Sequence, residues 1–210
     1  MTRGMEVDSI ADRILSRAGD ARRFIIAVAG PPGSGKSTLG AALTEALTAH
    51  GEKTALVPMD GFHFDDAVLR ERGLAGRKGS PESFDFAGFH TLLKRVRAGE
   101  PDVAIPLFDR SIELSRAAAA IVAQDARLIV VEGNYLLLGE KPWSALAELF
   151  DFSIYMDVPR AELERRLLAR WAHHGRDAAA ARHWLETNDL PNADRVAKRR
   201  RTSDIVIQNV

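Results

Sequence analysis

The sequence predicts an α/β fold in which helices cover both faces of a mainly parallel sheet, a three-layer α/β/α sandwich. Apolar runs rich in β-branched residues, such as FIIAVA at 24–29 and RLIVV at 127–131, are typical of strands that are buried on both faces. Segments with apolar residues at helical spacing separate these runs, and strands that alternate with helices favour a parallel sheet. A length of 210 residues without internal repeats predicts a single domain over 1–210.

The first half of the chain begins with an amphipathic helix within residues 1–20. Its apolar residues recur at helical spacing from Val7 to Ala18, and Gly19 follows as a stop signal. The pattern then predicts a strand at 24–29, a helix at 36–50, a strand at 53–59 and a helix at 65–72. Residues 73–81 form a glycine-rich loop, and the helix at 86–98 ends at Gly99. Residues 103–108 resemble a strand that Pro106 interrupts.

The second half begins with an alanine-rich segment at 117–123, which predicts a helix. Buried strands follow at 127–131 and 152–158. Pro159 then stands in the first turn of a long helix, a position where proline is tolerated. This helix and the turn after it predict a small helical lid around 160–180. Helices at 178–186 and 193–200 and a last strand at 204–207 complete the pattern.

Composition and charge exclude several classes of protein. Lys plus Arg and Asp plus Glu both number 29, and this zero net charge argues against a dedicated nucleic-acid binder. Cysteine is absent, which excludes disulfides, a thiol nucleophile and a cysteine zinc site. No apolar run is long enough to insert into a membrane. The acidic N-terminal segment resembles neither a secretory signal nor a transit peptide, so we expect the cytoplasm as the compartment.

A phosphate-binding motif follows the first predicted strand. Residues 30–38 match GxxxxGK[ST], and the order of strand, loop and helix is the one that this motif requires. The glycines let backbone N–H groups turn towards an anion, and the start of the next helix adds partial positive charge. We expect Lys36 to reach the β- and γ-phosphates of ATP and Ser37 to ligate Mg²⁺. The predicted nucleotide-binding residues of the loop are Gly30, Pro31, Pro32, Gly33, Ser34, Gly35, Lys36, Ser37 and Thr38.

Carboxylates at two other strand ends are the next candidates, since ligands gather at the carboxyl ends of strands in open α/β sheets. Asp60 follows the second strand and can accept the proton of an attacking hydroxyl, although an aspartate before Gly61 can also simply open a turn. Glu132 follows the strand at 127–131 and is a candidate for holding Mg²⁺ or its water. His63 either orients a substrate or packs in the loop.

Arginines cluster on and after the long helix, and arginine stabilises charge on a phosphoryl group during transfer. Arg166 and Arg170 lie four residues apart and so share one helix face. We expect both to contact the nucleotide and Arg170 to act in catalysis. The alternative is a solvated face on which Arg165, Arg166, Arg170 and Arg176 pair with Glu162 and Glu164. The basic run at 198–201 is typical of a solvated helix end.

Several segments in this order resemble a known superfamily. The segments are GPPGSGKST, MDGFH, RKGSPESFD, IPLFDRS and VVEGNYLLL. From about residue 25 onward, the chain resembles the phosphoribulokinase, uridine kinase and bacterial pantothenate kinase superfamily of P-loop kinases, and its pattern is closest to a branch described as fructose-transport-system or nucleoside/nucleotide-kinase-like kinases. NDLPN at 188–192 also resembles that branch. The resemblance implies ATP-dependent phosphorylation of a hydroxyl on a small molecule, with Asp60 as base. It places Asp60, His63, Arg77, Lys78, Phe108, Asp109, Arg110, Asn134 and Tyr135 at the acceptor.

Departures from the superfamily pattern bear on the acceptor. Gly79 stands where uridine kinases usually carry an acidic residue, and Asp109-Arg110 stands where pantothenate kinases usually have Ser-His. The hydroxyl-bonding groups of Asp109, Arg110 and Asn134 favour a sugar such as fructose. A nucleoside or pantothenate kinase remains an alternative, as does an ATPase or a transporter-associated nucleotide-binding regulator without a small acceptor. The sequence leaves the oligomeric state open, a homodimer included.

Overall fold

A five-stranded parallel sheet organises the computed structural model, which describes residues 2–209. Its strands run in the order β2-β5-β1-β6-β7. Within the described residues, the strands are β1 (Phe24–Ala29), β2 (Thr54–Pro58), β3 (Val103–Asp109), β4 (Leu114–Val122), β5 (Leu128–Gly133), β6 (Phe152–Asp157) and β7 (Ile205–Gln208). The helices are α1 (Thr2–Ala18), α2 (Lys36–Ala49), α3 (Asp66–Glu71), α4 (Phe86–Ala98), α5 (Arg160–His173), α6 (Ala178–Trp184) and α7 (Leu190–Arg199).

Alternating side chains of the sheet build two cores, which confirms the three-layer α/β/α sandwich. On one face, Ile26 and Val28 of β1 pack with Ile14 of α1 and Leu43 of α2. On the other face, Ile25 and Ala27 pack in a cluster that includes α4 and a short 3₁₀ helix, Trp143–Leu149. Strands buried on both faces carry almost no polar residues, which is why β1 and β5 appear in the sequence as continuous apolar runs.

A third apolar cluster joins the elements that follow the sheet. It contains Val158, Leu163 and Leu167 of the α5 region together with Leu185 and Leu190. Leu185 begins a one-turn π-helix, Leu185–Asp189, which links α6 to α7. None of the helices within residues 2–209 combines the length and the apolar character needed to cross a membrane.

The alanine-rich segment at 117–123 is a strand, and the predicted helix is wrong. It forms most of β4, which pairs with β3 as an antiparallel hairpin from Val103↔Val122 to Asp109↔Leu114. The helix propensity of alanine amounts to less than about 1 kcal/mol per residue, so tertiary pairing overrides it. Val103, Ile105 and Val122 anchor the hairpin in the core. The pairing shifts register between Ile105 and Leu107, beside Pro106, which lacks an N–H for the ladder.

Candidate active site

The phosphate loop joins β1 to α2 through backbone conformations that require glycine. Gly33 and Gly35 have φ values of 79° and 88°, in the left-handed region. A Cβ at Gly30 would lie 2.6 Å from Ser34 Oγ and 2.9 Å from Met156 Cβ. No side chain caps the start of α2, so its first N–H groups remain available to an anion. This geometry suits the phosphates that the motif predicts.

Lys36 lies at the beginning of α2, where its ammonium group faces two carboxylates. Its side chain is buried, and burial lowers the pKa of Lys36, while the charges of Glu132 and Asp60 oppose that effect. Glu132 is the last residue but one of β5 and does not follow the strand, and it is only 5% exposed. Burial raises the pKa of Glu132, and the charge of Lys36 opposes the rise. The charges of Lys36, Glu132 and Asp60 therefore act on one another at the carboxyl edge of the sheet.

Asp60 belongs to a 3₁₀ helix, Met59–Phe62, that begins directly after β2. Its Oδ2 accepts a hydrogen bond from Arg110 Nη2 at 2.5 Å. The hairpin reaches it because Gly61 has no side chain: a Cβ there would collide with the carbonyl of Pro106. Burial by itself would raise the pKa of Asp60, but the charges of Lys36, Arg110 and Arg170 hold the pKa below its ordinary value. The carboxylate is therefore ionised at neutral pH and can accept a proton.

His63 packs as a neutral imidazole beside Asp60. Its ring stacks on Phe84 with 3.9 Å between ring centroids and lies 5.1 Å from Phe108. Burial lowers the pKa of His63 to about 4. Its Nδ1 atom is buried without a hydrogen-bond partner. The ring is packed in the loop and also lines the cavity described next, so its position fits both of the predicted roles.

A cavity of about 690 Å³ opens between the phosphate loop and the C-terminal helices. Most of the predicted acceptor residues line it together with Lys36 and Arg170: Asp60, His63, Lys78, Phe108, Arg110 and Asn134. Asn134 is 8% exposed, and its Oδ1 has no partner. Lys78 is held at Asp66 Oδ1, 2.8 Å away, with Glu113 at 3.6 Å.

Three predicted acceptor residues lie off the cavity wall and hold loops instead. Tyr135 is fully buried and donates its hydroxyl proton to the carbonyl of Gly79, and burial raises its pKa. Arg77 donates to the Thr187 carbonyl at 3.1 Å and to Asn192 Oδ1 at 3.2 Å. Asp109 accepts from the backbone N–H and the hydroxyl of Ser111, at 3.0 and 2.6 Å. The carboxylate of Asp109 is thus engaged in a local turn and not directed at an acceptor.

The sequence predicts that the arginines of α5 either contact the nucleotide or pair with glutamates on a solvated helix face, and the structure shows examples of both positions. Arg170 lines the cavity, where burial lowers its pKa and the charge of Asp60 opposes that effect. Arg166 bonds to Glu162 at 2.5 Å and to the Asn209 carbonyl at 3.4 Å. Arg165 is exposed and forms two hydrogen bonds to Glu162, so the solvated pairing holds for this residue.

Sequence reasoning missed the contribution of the π-helix region. Asp189 lines the cavity, is 8% exposed, and accepts a hydrogen bond from Trp171 Nε1 at 2.7 Å. Asn188 is fully buried and donates to the Lys78 carbonyl at 2.7 Å. These residues belong to the NDLPN segment, for which the sequence indicated a resemblance but no role. A π-turn inside a helix often marks a functional site.

Ser37 and Glu132 are the residues that fit Mg²⁺. Within residues 2–209, no three His, Asp or Glu side chains converge as a metal-binding group. Mg²⁺ usually keeps several waters and binds through one or two protein oxygens together with substrate phosphates. An exposed serine hydroxyl beside the phosphate loop and one nearby carboxylate therefore suit Mg²⁺ that arrives with a nucleotide.

A phosphate loop at the carboxyl edge of a parallel sheet, facing an ionised aspartate across a cavity, defines a P-loop kinase that acts on small molecules. The chain belongs to the phosphoribulokinase / uridine kinase family, whose sequence pattern matches residues 25–210. A crystal structure from Silicibacter sp. TM1040, provisionally named a fructose transport system kinase, is 41% identical with a TM-score of 0.91, over 96% of this chain and 98% of that one.

Two sequence relatives extend the comparison. The uncharacterised protein YggC of Escherichia coli (strain K12) is 34% identical over 92% of this chain and 81% of its own length. The pantothenate kinase of Parvibaculum lavamentivorans is 33% identical over 79% of this chain, but the match covers only 53% of that longer protein. These likenesses agree with the resemblance that the motifs indicated, and they leave the substrate open.

Proposed function

We propose that the protein transfers the γ-phosphoryl group of ATP to a hydroxyl of a small polyhydroxylated acceptor of the sugar type. The observation that carries this proposal is the position of Asp60. Its ionised carboxylate lines, together with Lys36, a cavity with room for an acceptor. An enzyme that only hydrolysed ATP would not need such a cavity.

Asp60 accepts the proton of the acceptor hydroxyl in the proposed reaction. A bond forms from that oxygen to the γ-phosphorus, and the bond from this phosphorus to the β–γ bridging oxygen breaks, which releases ADP. Lys36 and Arg170 place positive charge beside the group in transfer. Mg²⁺, which Ser37 and Glu132 would hold, neutralises charge on phosphate oxygens when it is bound. The predicted lid around 160–180 would exclude water, and its separate apolar cluster supports this role.

The acceptor class rests on the polar groups of the cavity. Asn134, whose Oδ1 has no partner, can bond a hydroxyl, and Lys78 and Arg110 can do so beside their bonds to Asp66 and Asp60. Asp109, which the sequence favoured for a sugar, is bound to Ser111 and adds no support. The relative provisionally named a fructose transport system kinase supports a sugar, and the pantothenate kinase supports an alcohol with a carboxylate.

The test is ADP release measured with and without acceptors. Fructose, uridine, cytidine and pantothenate are compared by kcat/KM with MgATP in one buffer, and phosphorylated products are identified by mass spectrometry. We expect acceptor-dependent ADP release that is highest for a sugar-type polyol. A nucleoside that exceeds every polyol tenfold contradicts the acceptor class. ADP release that no acceptor stimulates contradicts the kinase proposal and favours an ATPase or regulator.

A further inference from the structure

The guanidinium group of Arg176 lies between two indole rings on the wall of the cavity. Its Cζ atom is 4.3 Å from the ring centroid of Trp171 and 5.0 Å from that of Trp184. The two rings are 6.3 Å apart at 77°, and both line the cavity with Arg176. Stacking on an aromatic face suits the flat, weakly hydrated guanidinium and leaves its N–H groups free at the edge.

One of the two indoles is held by a hydrogen bond, and the other packs edge-on against it. Trp171 Nε1 donates to Asp189 Oδ2 at 2.7 Å, and the Trp184 ring packs against the Trp171 ring. Asp189 is buried within the π-helix, so its carboxylate has little freedom to move. The rings that flank Arg176 are therefore fixed by the fold. A long, flexible arginine side chain gains a defined orientation from them.

Arg176 has no carboxylate partner among residues 2–209. No Asp or Glu oxygen lies within 4.0 Å of its guanidinium, although Asp189 acts on it at longer range. Two of the other cations of the cavity are paired: Lys78 bonds to Asp66, and Arg110 bonds to Asp60. An oriented guanidinium with unused donors, half-buried against aromatic rings, is suited to bind a carboxylate or phosphate.

We propose that Arg176, clamped by Trp171 and Trp184, binds an anionic group of the acceptor, so that the substrate is a hydroxy acid or a sugar phosphate. This inference rests on the proposed kinase function and specifies its acceptor. The reacting hydroxyl lies at Asp60, and the carboxylate or phosphate at the other end of the same molecule lies at Arg176. The phosphates of ATP have their own cation in Lys36, which begins α2 directly after the glycines of the phosphate loop.

Matched pairs of acceptors test the charge directly. Gluconate is compared with glucitol, glycerate with glycerol and pantothenate with pantothenol for a carboxylate, and fructose 6-phosphate is compared with fructose for a phosphate. We expect kcat/KM to favour the charged member of one pair by about 10- to 100-fold, as expected for hydrogen bonds to charged groups. The pairs that show this preference identify the anion as a carboxylate or as a phosphate. Equal or better use of the neutral members overturns the proposal.

Arg176→Gln removes the charge and keeps a side chain that can pack between the rings. The variant should abolish the preference for the charged acceptor by raising its KM, with the KM of ATP unchanged within about twofold. Arg182→Gln, an exposed arginine of α6 away from the cavity, is the matched control. A rise in the KM of ATP would instead assign Arg176 to the nucleotide. Equal losses of kcat/KM for charged and neutral acceptors would show that Arg176 only contributes to packing.

A binding measurement keeps this inference separate from the kinase proposal. Trp171 and Trp184 border the proposed subsite, and the remaining tryptophan, Trp143, is buried among aromatic rings elsewhere. Saturable change in tryptophan fluorescence with gluconate or fructose 6-phosphate, lost in Arg176→Gln, supports the subsite even if no acceptor is phosphorylated. Turnover without discrimination, or identical titrations with glucitol and fructose, refutes the subsite while the kinase proposal stands.

Discussion

The phosphate side and the acceptor side of the cavity are built in different ways. The phosphate side is one continuous segment, residues 30–38, whose shape comes from glycine backbones and the start of α2. The acceptor side combines parts of distant segments. Tyr135 holds Gly79, Asn188 holds the Lys78 carbonyl, and Arg77 reaches Asn192. The first side can bind the same phosphates in many enzymes, whereas the second can change its acceptor through individual side chains.

Asp60 lies where the phosphate side meets the acceptor side, and its replacement should have the largest effect on activity. Asp60→Asn keeps the shape and removes the base, so phosphoryl transfer should fall by roughly 10²–10⁴. The affinity for ATP should stay within a few-fold, as measured by equilibrium binding. Asp125→Asn, an exposed carboxylate paired with Lys53, serves as control. An equal loss of ATP affinity would mean that Asp60 belongs to the phosphate side.

The next largest effect belongs to the phosphate side alone. Lys36→Ala removes the charge beside the group in transfer, and kcat should fall about a hundredfold or more, roughly 3 kcal/mol of barrier. The KM of the acceptor should change little, because the acceptor binds on the other side. Lys53→Ala provides the comparison at an exposed lysine. Turnover at the parental rate would refute the assignment of the loop.

The buried imidazole of the acceptor side predicts a pH effect on stability. The pKa of His63 is about 4 in the folded protein and 6.5 in its ordinary state. As the pH falls, the unfolded chain takes up this proton first, so the free energy of unfolding falls between about pH 6.5 and 4. His63 accounts for about 2 kcal/mol of the loss between pH 7.5 and 5.

Chemical denaturation of the parent and of His63→Phe at these two pH values measures this contribution. The variant keeps an aromatic ring for Phe84 and should lose about 2 kcal/mol less stability on acidification than the parent does. Parallel losses in the two proteins would show that the imidazole is hydrated and not enclosed by the acceptor side.

The smallest expected effect comes from loss of the hydrogen bond between Tyr135 and Gly79, which links two segments of the acceptor side. Tyr135→Phe removes the hydrogen bond to Gly79 and should cost about 1 kcal/mol of stability. The KM of the acceptor should rise several-fold because the loop that carries Lys78 loosens, while the KM of ATP stays constant. Tyr155→Phe, a buried tyrosine of β6, is the matched variant. A rise in the KM of ATP alone would show that the two sides are not independent.

Prediction from the sequence was least effective on the acceptor side. Asp109 and Arg110 are neighbours in the chain and carried the same expectation, yet Ser111 engages one while the other bonds to Asp60, fifty residues away. Asp189 gave no signal of its own, because its place at the cavity depends on the π-turn and on the indole of Trp171. Contacts between distant segments depend on packing, which spacing in the sequence does not encode.

The sequence by itself determined the phosphate loop, the parallel sheet and the position of Asp60 at its carboxyl edge. These features are local: glycines set the backbone of the loop, and runs such as Phe24–Ala29 are typical of strands buried on both faces. Only the tertiary structure decided that the alanine-rich segment is the strand β4, since pairing with β3 outweighs a helix propensity of less than about 1 kcal/mol per residue. It also brought Arg176 between Trp171 and Trp184, because the turn between α5 and α6 brings the two indoles together.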